Sequence, residues 1–290
     1  MKKKYIHQHM GLGDHFGTNG LIRTLVNRWE VDKLYIYCKE IYHANLDFMY
    51  RDDPRIELIT IPCDTYNTNC DEAGLVHSDL RRRGINLKHH TAVDWMYGNS
   101  GDFYRLGHEY LQHVWLTRGS YVSNDQAFYL QAKVPYEYRF DKFFMRRNID
   151  EEINIYKSLV DDGEEYVFVH NSTDKNIRWP QSLNDFHGKK IYNNPNIPLV
   201  KMGYLLENAS EIYLTESSIR CMIEANLFNM TKPKLHMNMT RGAIWGNNTR
   251  HDWYQSYFEN DEVLRSTKYP MYKGPNGNPT ERGYFSEENG

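Results

Sequence analysis

Apolar positions recur in short blocks along the first sixty residues, and their period changes from block to block. Lys3 to His7 reads as an opening strand followed by a glycine-rich turn. The spacing of Leu21, Ile22, Leu25 and Val26 then predicts a helix from about Thr18 to Trp29 with one apolar stripe. Leu34 to Cys38 and Ile56 to Ile59 read as the second and third strands, with helical spacing over Tyr42 to Tyr50 between them. Strands that alternate with helices in this way predict βαβ units and a parallel sheet covered on both faces.

Beyond Cys63 the pattern weakens. Asp71 to Arg82 and Phe103 to Leu116 predict helices, whereas Tyr121 to Phe144 is rich in aromatic residues, has little period and receives no assignment. After a predicted helix over Asp150 to Val160 and the turn Asp161-Asp-Gly163, the run Glu165 to His170 predicts a buried strand that opens a second α/β unit. The alternation then resumes, with strands at Lys190 to Tyr192, Glu211 to Leu214 and Lys234 to Met237. Helices are predicted over Leu199 to Asn208, Ser217 to Leu227 and Arg250 to Phe258. From Ser266 to Gly290 the chain is rich in Gly, Pro, Asn and Glu, which predicts an extended or partly disordered tail. The fold class is α/β, with two Rossmann-like doubly wound domains over residues 1–148 and 149–262 and a tail over 263–290.

Composition narrows the function classes. A length of 290 residues suits two domains, and 40% hydrophobic with 25% charged residues is enough to build two cores. Lys and Arg number 35 against 38 Asp and Glu, so the chain has no overall positive field and nucleic acid is not an expected partner. No run approaches the ~20 apolar residues of a membrane span, and the basic start lacks an apolar stretch behind it. The expectation is a cytoplasmic protein with no transmembrane segment. Cys38, Cys63, Cys70 and Cys221 are too scattered for a zinc site and are expected to be reduced, packed thiols. His7 and His9 alternate along a strand without a third ligand at a telling spacing, so no metal is expected.

Three segments carry candidate chemistry. The first is His9-Met-Gly-Leu-Gly-Asp-His-Phe-Gly-Thr-Asn19, between the first strand and the first helix, where ligands of open α/β sheets bind. Gly11 and Gly13 allow the backbone to turn and approach a ligand, and His9 and His15 flank Asp14, which can serve as a base or simply cap the helix. With Gly17 the glycines give GxGxxxG, one residue longer than the dinucleotide fingerprint, and Glu40 is a candidate ribose-binding acid. The second is His170-Asn-Ser-Thr-Asp-Lys-Asn-Ile-Arg-Trp-Pro180, whose Ser172, Thr173, Lys175 and Arg178 suit phosphate oxygens, or else form an exposed polar turn. The third is Glu216-Ser217-Ser218 after a strand, able to cap the next helix or to bond a phosphate or ribose.

In their order along the chain these motifs resemble those of the GT-B glycosyltransferases, in particular the ADP-heptose heptosyltransferase group of glycosyltransferase family 9. Gly13-Asp14, the cations Lys175 and Arg178 before Trp179-Pro180, and Glu216-Ser217-Ser218 carry the likeness, over about residues 3 to 228. Glu216 stands where the family has aspartate and Ser218 where it has glycine; a Ser-Ser helix start is also similar to the fucosyltransferase branch. The resemblance implies two domains facing across a cleft, Asp14 as catalytic base, and Lys175 or Arg178 on the donor diphosphate. It places Glu216, Ser217 and Ser218 at the nucleotide. It also implies a nucleotide-diphosphate sugar as donor, a glycan or lipid-linked acceptor, no separate cofactor, and a metal-independent, inverting transfer. Three other functions remain open on the sequence: a nucleotide-sugar epimerase of the same fold, an NAD-dependent oxidoreductase, and a non-catalytic glycan-binding protein whose 23 tyrosines and 6 tryptophans offer stacking surfaces.

Overall fold

The computed structural model describes residues 1–8, 11–63, 70–85, 101–107, 123–170, 181–215, 217–225, 227–239, 251, 253–257 and 260–266. The chain divides into two compact units, the first covering Met1–Arg146 and the second beginning at Arg147.

In the first unit four strands, β1 (Lys3–Gln8), β2 (Lys33–Lys39), β3 (Ile56–Ile61) and β4 (Phe103–Leu106), form one parallel sheet in the order β3-β2-β1-β4. Ile6 of central β1 pairs with Ile36 on one side and Tyr104 on the other, and both isoleucines are wholly buried. The helices are α1 (Leu12–Arg28), α2 (His43–Tyr50, after a 3-10 turn at Glu40–Tyr42), α3 (Glu72–Arg82), α4 (Asn124–Ala132) and α5 (Tyr138–Asp141). The expected stripe on α1 is present: Leu21, Ile22, Leu25 and Val26 are buried, each contributing about 1.5–3 kcal/mol relative to exposure.

Helix α1 starts earlier than its glycines suggest. Gly11 is its N-cap residue, and the amides of Asp14 and His15 both donate to the Gly11 carbonyl, at 3.0 and 3.2 Å. Gly13 and Gly17, read from the sequence as parts of a turn, are therefore helical. Tertiary contact outweighs their poor helix propensity. At Gly17 a Cβ would come 3.7 Å from the Asp125 side chain, and at Gly20 it would come 2.0 Å from the Tyr138 carbonyl oxygen. Only a bare Cα lets α1 lie this close to α5. The Tyr129 hydroxyl from α4 joins the same contact, donating to the Gly17 carbonyl and accepting from the Leu21 amide, both at 3.1 Å.

The second unit contains α6 (Ile149–Leu159), β5 (Tyr166–Val169), α7 (Gln181–Asp185), β6 (Lys189–Tyr192), α8 (Gly203–Asn208), β7 (Glu211–Thr215), α9 (Ser218–Ile223), β8 (Lys234–Met239), β9 (Trp253–Tyr257) and β10 (Asn260–Ser266). Its sheet runs β10-β9-β8-β7-β5-β6, parallel throughout except for the antiparallel β9–β10 hairpin. Val167, Phe168, Val169, Ile212, Leu214 and Met237 have no exposure, as strands covered on both faces require.

Three sequence expectations are corrected, and one stretch left unassigned gains a helix. Phe103–Leu106 is strand β4 instead of helix, because this short, fully buried run completes the sheet beside β1; the rest of that predicted helix, 108–116, lies outside the described residues. Trp253–Tyr257 is strand β9 instead of helix, its Trp and Tyr residues suiting a place beside β8. The unassigned stretch contains α4, opened by a capping box in which the Ser123 side chain accepts from the Gln126 amide and the Gln126 side chain accepts from the Ser123 amide. The predicted helix over Ser217 to Leu227 is the six-residue α9. The tail 267–290 lies outside the described residues.

Candidate functional site

Each sheet has one point where the chain reverses its direction of winding. In the first unit it passes outward from β1 through β2 to β3 and then crosses to β4 on the other side of β1. In the second it passes from β5 to β6 and then crosses to β7. Such a reversal opens a crevice at the carboxyl ends of the two diverging strands, where ligands of α/β sheets bind.

At the β1/β4 reversal, β1 ends at Gln8 and α1 begins at Leu12, so Asp14 stands in the first helical turn at the carboxyl edge of the sheet. It does not cap the helix, which corrects the simple structural reading of this residue: Gly11 occupies that position, and no side chain caps α1. Asp14 is half-buried, whereas His15 beside it has no exposure. The His15 ring takes a hydrogen bond at Nδ1 from Gln8 Nε2, and the Thr18 hydroxyl lies 2.7 Å from Gln8 Oε1. Burial pushes the His15 pKa down to about 4, against the opposing attraction of Asp14, so the ring is neutral at pH 7.

The same edge carries further polar groups. The buried Lys39 ammonium at the end of β2 is 2.5 Å from Glu72, the first residue of α3. After β4, Gly107 adopts φ +91°, and a Cβ there would meet the Phe128 ring at 2.3 Å; its amide donates to Gln131 Oε1 at 2.8 Å. Glu40 lies exposed in the turn before α2. His9 lies outside the described residues.

At the β5/β7 reversal, His170 follows β5. Its amide donates to the Tyr213 carbonyl at 2.8 Å, and its Nδ1 lies 3.2 Å from the Thr215 hydroxyl at the end of β7. Ser217 precedes α9 without capping it through its side chain, and its buried Oγ has no hydrogen-bond partner among the described residues. Ser218 opens the helix. Ser172, Thr173, Lys175, Arg178 and Glu216 lie outside the described residues. In sequence 171–180 follows His170, and Glu216 stands between Thr215 and Ser217.

The structure thus sets Asp14 and His15 at one reversal, and Ser217 and Ser218 at the other. Sequence reasoning missed Gln8 and Thr18, the two side chains that fix His15. The signal for them was positional, since Gln8 ends a strand and Thr18 stands one turn beyond Asp14 on the helix. Among the described residues no group of three or more His, Cys, Asp or Glu side chains is arranged to hold a metal ion, and no helix is long and apolar enough to cross a membrane.

No protein-family model matches the chain, and no curated protein matches it in sequence. Solved structures do match. The glycosyl transferase family 9 protein of Veillonella parvula is 9% identical, with 88% of this chain and 86% of that one covered at a TM-score of 0.51. The iron-containing dodecameric glycosyltransferase TibC of enterotoxigenic E. coli is 11% identical, with 93% and 69% covered at 0.48. The E. coli ADP-heptose heptosyltransferase II is 11% identical, with 82% and 84% covered at 0.44. The first of these likenesses shows a shared α/β fold of two Rossmann-like units.

Proposed function

We propose that the chain is a glycosyltransferase that moves a sugar from a nucleotide-diphosphate donor to a hydroxyl of a glycan or lipid-linked acceptor. The observation that carries this reading is the placement of Asp14 and Ser217 at the reversal points of two successive parallel sheets, in a fold shared with a family 9 glycosyl transferase. Fold alone hosts many activities. What these positions supply chemically is therefore decisive.

The main obstacle to sugar transfer is the charge that develops on the departing diphosphate. Lys175 and Arg178, which follow β5 in sequence, supply cations for its oxygens, and the Ser217 hydroxyl, without a partner among the described residues, supplies a neutral donor. Neutralisation by side-chain cations makes the transfer metal-independent in this proposal, and the nucleotide sugar is its only small-molecule requirement. In the first unit Asp14, in the first turn of α1, takes the proton of the acceptor hydroxyl as it attacks the anomeric carbon. A single displacement inverts the anomeric centre.

The test is transfer by Asp14→Asn. The substitution keeps size and polarity and removes the base, so turnover falls by about 10²–10⁴-fold while nucleoside diphosphate still binds. Unchanged turnover, or loss of nucleotide binding together with activity, contradicts the assignment.

A further inference from the structure

A cavity of about 380 Å³ opens at the amino edge of the first sheet, the end away from Asp14. Lys4 is the second residue of β1 and Gln8, which precedes the Asp14 turn, is the last, so the two ends lie roughly 13 Å apart at ~3.3 Å per residue. The walls come from the starts of β1 and β4 and from the carboxyl ends of α1 and α4.

Three cations line this cavity, Lys4, Arg28 and Lys133, against one carboxylate among the described lining residues, Asp102. None of the three forms an ion pair with a described residue. The half-buried Lys4 ammonium donates to the Gly101 carbonyl and lies 5.0 Å from the centre of the Trp29 ring; burial pulls its pKa down, and Asp102 opposes this only in part. Arg28 donates to the carbonyls of Ala132 and Lys133 at 2.8 and 2.9 Å, which neutralises the negative pole of α4 that would repel an anion. Lys133 is the C-cap residue of α4 and holds φ +50°, a left-handed conformation that glycine adopts without strain. Strained positions of this kind concentrate where ligands bind. Trp29, half-buried, packs edge-on against buried Tyr104 with ring centres 5.4 Å apart and gives the cavity an aromatic wall.

We propose that this cavity binds a phosphorylated monosaccharide, with the phosphate on Lys4, Arg28 and Lys133 and the sugar ring against Trp29. Three positive charges less one negative leave two, which matches a phosphate monoester of about −1.5 to −2 at pH 7. Asp102 repels a second phosphate but accepts from hydroxyl groups, which a sugar ring supplies. The volume lies near the lower end of small-molecule pockets, about 300–1,000 Å³, and suits one ring with one phosphate. None of these residues takes part in the proposed transfer, so the site does not depend on that reading.

Titration calorimetry on the full chain tests the proposal, with glucose 6-phosphate, mannose 6-phosphate, glucose 1-phosphate and N-acetylglucosamine 1-phosphate as probes. At least one should bind about tenfold more tightly than inorganic phosphate and than its own unphosphorylated sugar. Lys133→Gly removes the ammonium and suits the left-handed backbone, so it should weaken that probe roughly tenfold with Tm unchanged or raised. Lys4→Met keeps an apolar stem beside Trp29 and should weaken it likewise; where that variant fails to fold, Lys133→Gly decides alone. ADP, GDP and UDP in excess should leave the probe in place. No binding by any of the four, binding unchanged in Lys133→Gly, inorganic phosphate held as tightly as every probe, or displacement by a nucleoside diphosphate overturns the proposal. Failure of all three nucleoside diphosphates to bind contradicts the transferase reading and leaves this site standing.

Discussion

Arg147 lies with Nη2 2.6 Å from Oε2 of Glu152, a carboxylate with no exposure at all. The same guanidinium meets Glu207 at 2.7 and 2.8 Å, and its charge stands 5.0 Å over the Phe228 ring. Glu152 accepts from the Tyr204 amide and Glu207 from the Asn229 amide, so one arginine joins α6, α8 and the segment before β8. The three charges are satisfied together, and removing Arg147 leaves Glu152 buried and without its counter-charge.

Arg147→Met should therefore destabilise the second unit by about 3–5 kcal/mol, since it strands the buried Glu152 charge. Replacing Arg147 and Glu152 together by apolar residues should restore much of the loss. Denaturant unfolding of the single and double variants checks both, and equal losses in the two contradict the charge argument.

Two glycines of α1 should respond in opposite directions. Gly17→Ala places a methyl at ordinary contact distance from Asp125 and lowers the entropy of the unfolded chain, so it should stabilise by about 0.5–1 kcal/mol. Gly20→Ala drives a methyl into the Tyr138 carbonyl and should destabilise by at least about 1–3 kcal/mol. Thermal unfolding decides. A Gly17→Ala variant that folds normally but loses ligand binding would return that glycine to the ligand-binding role its sequence suggested.

The acid limb of stability should carry the signature of His15. Its pKa is about 4 in the folded state against 6.5 unfolded, so the ring is neutral in both states above pH 6.5 and contributes nothing there. As pH falls from 6.5 toward 4 the unfolded chain takes up a proton that the folded one refuses, and stability drops by about 3 kcal/mol in all. His236, also pushed down by burial, acts in the same sense. Comparing wild type with His15→Asn isolates the first residue: the variant should lose about one proton's worth of slope in this window. Parallel curves contradict a buried neutral His15.

Strand and helix order was legible in the chain wherever period and length agreed. The runs around Ile36, Ile59, Val167 and Ile212 are short and apolar and became buried parallel strands. The stripe from Leu21 to Val26 became the inner face of α1. What misled was the weight given to local propensity. Glycines at 13 and 17 read as a turn because their cost in a helix is local, whereas at Gly17 the contacts that outweigh it come from residues more than a hundred positions later. Phe103 and Trp253 read as helical because aromatic runs suit both periods, and only a vacant place beside β1 or β8 distinguishes them. The site was legible in its positions and not in its supports. Asp14 and Ser217 announce themselves by following strands, while the pairing of Gln8 with His15 depends on the register between a strand end and a helix face.

The central claim is that a nucleoside diphosphate binds at the β5/β7 reversal. A thermal-shift series over nucleoside diphosphates, nucleotide sugars, NAD(H) and oligosaccharides, run on wild type, Lys175→Ala and Arg178→Ala, tests it most directly, because a ligand that binds only the folded state raises Tm by mass action. One nucleoside diphosphate and its sugar conjugate should stabilise the wild type, and the shift should be lost in both variants. Stabilisation by NAD(H) or by oligosaccharides alone, or a diphosphate shift that survives in both variants, contradicts it.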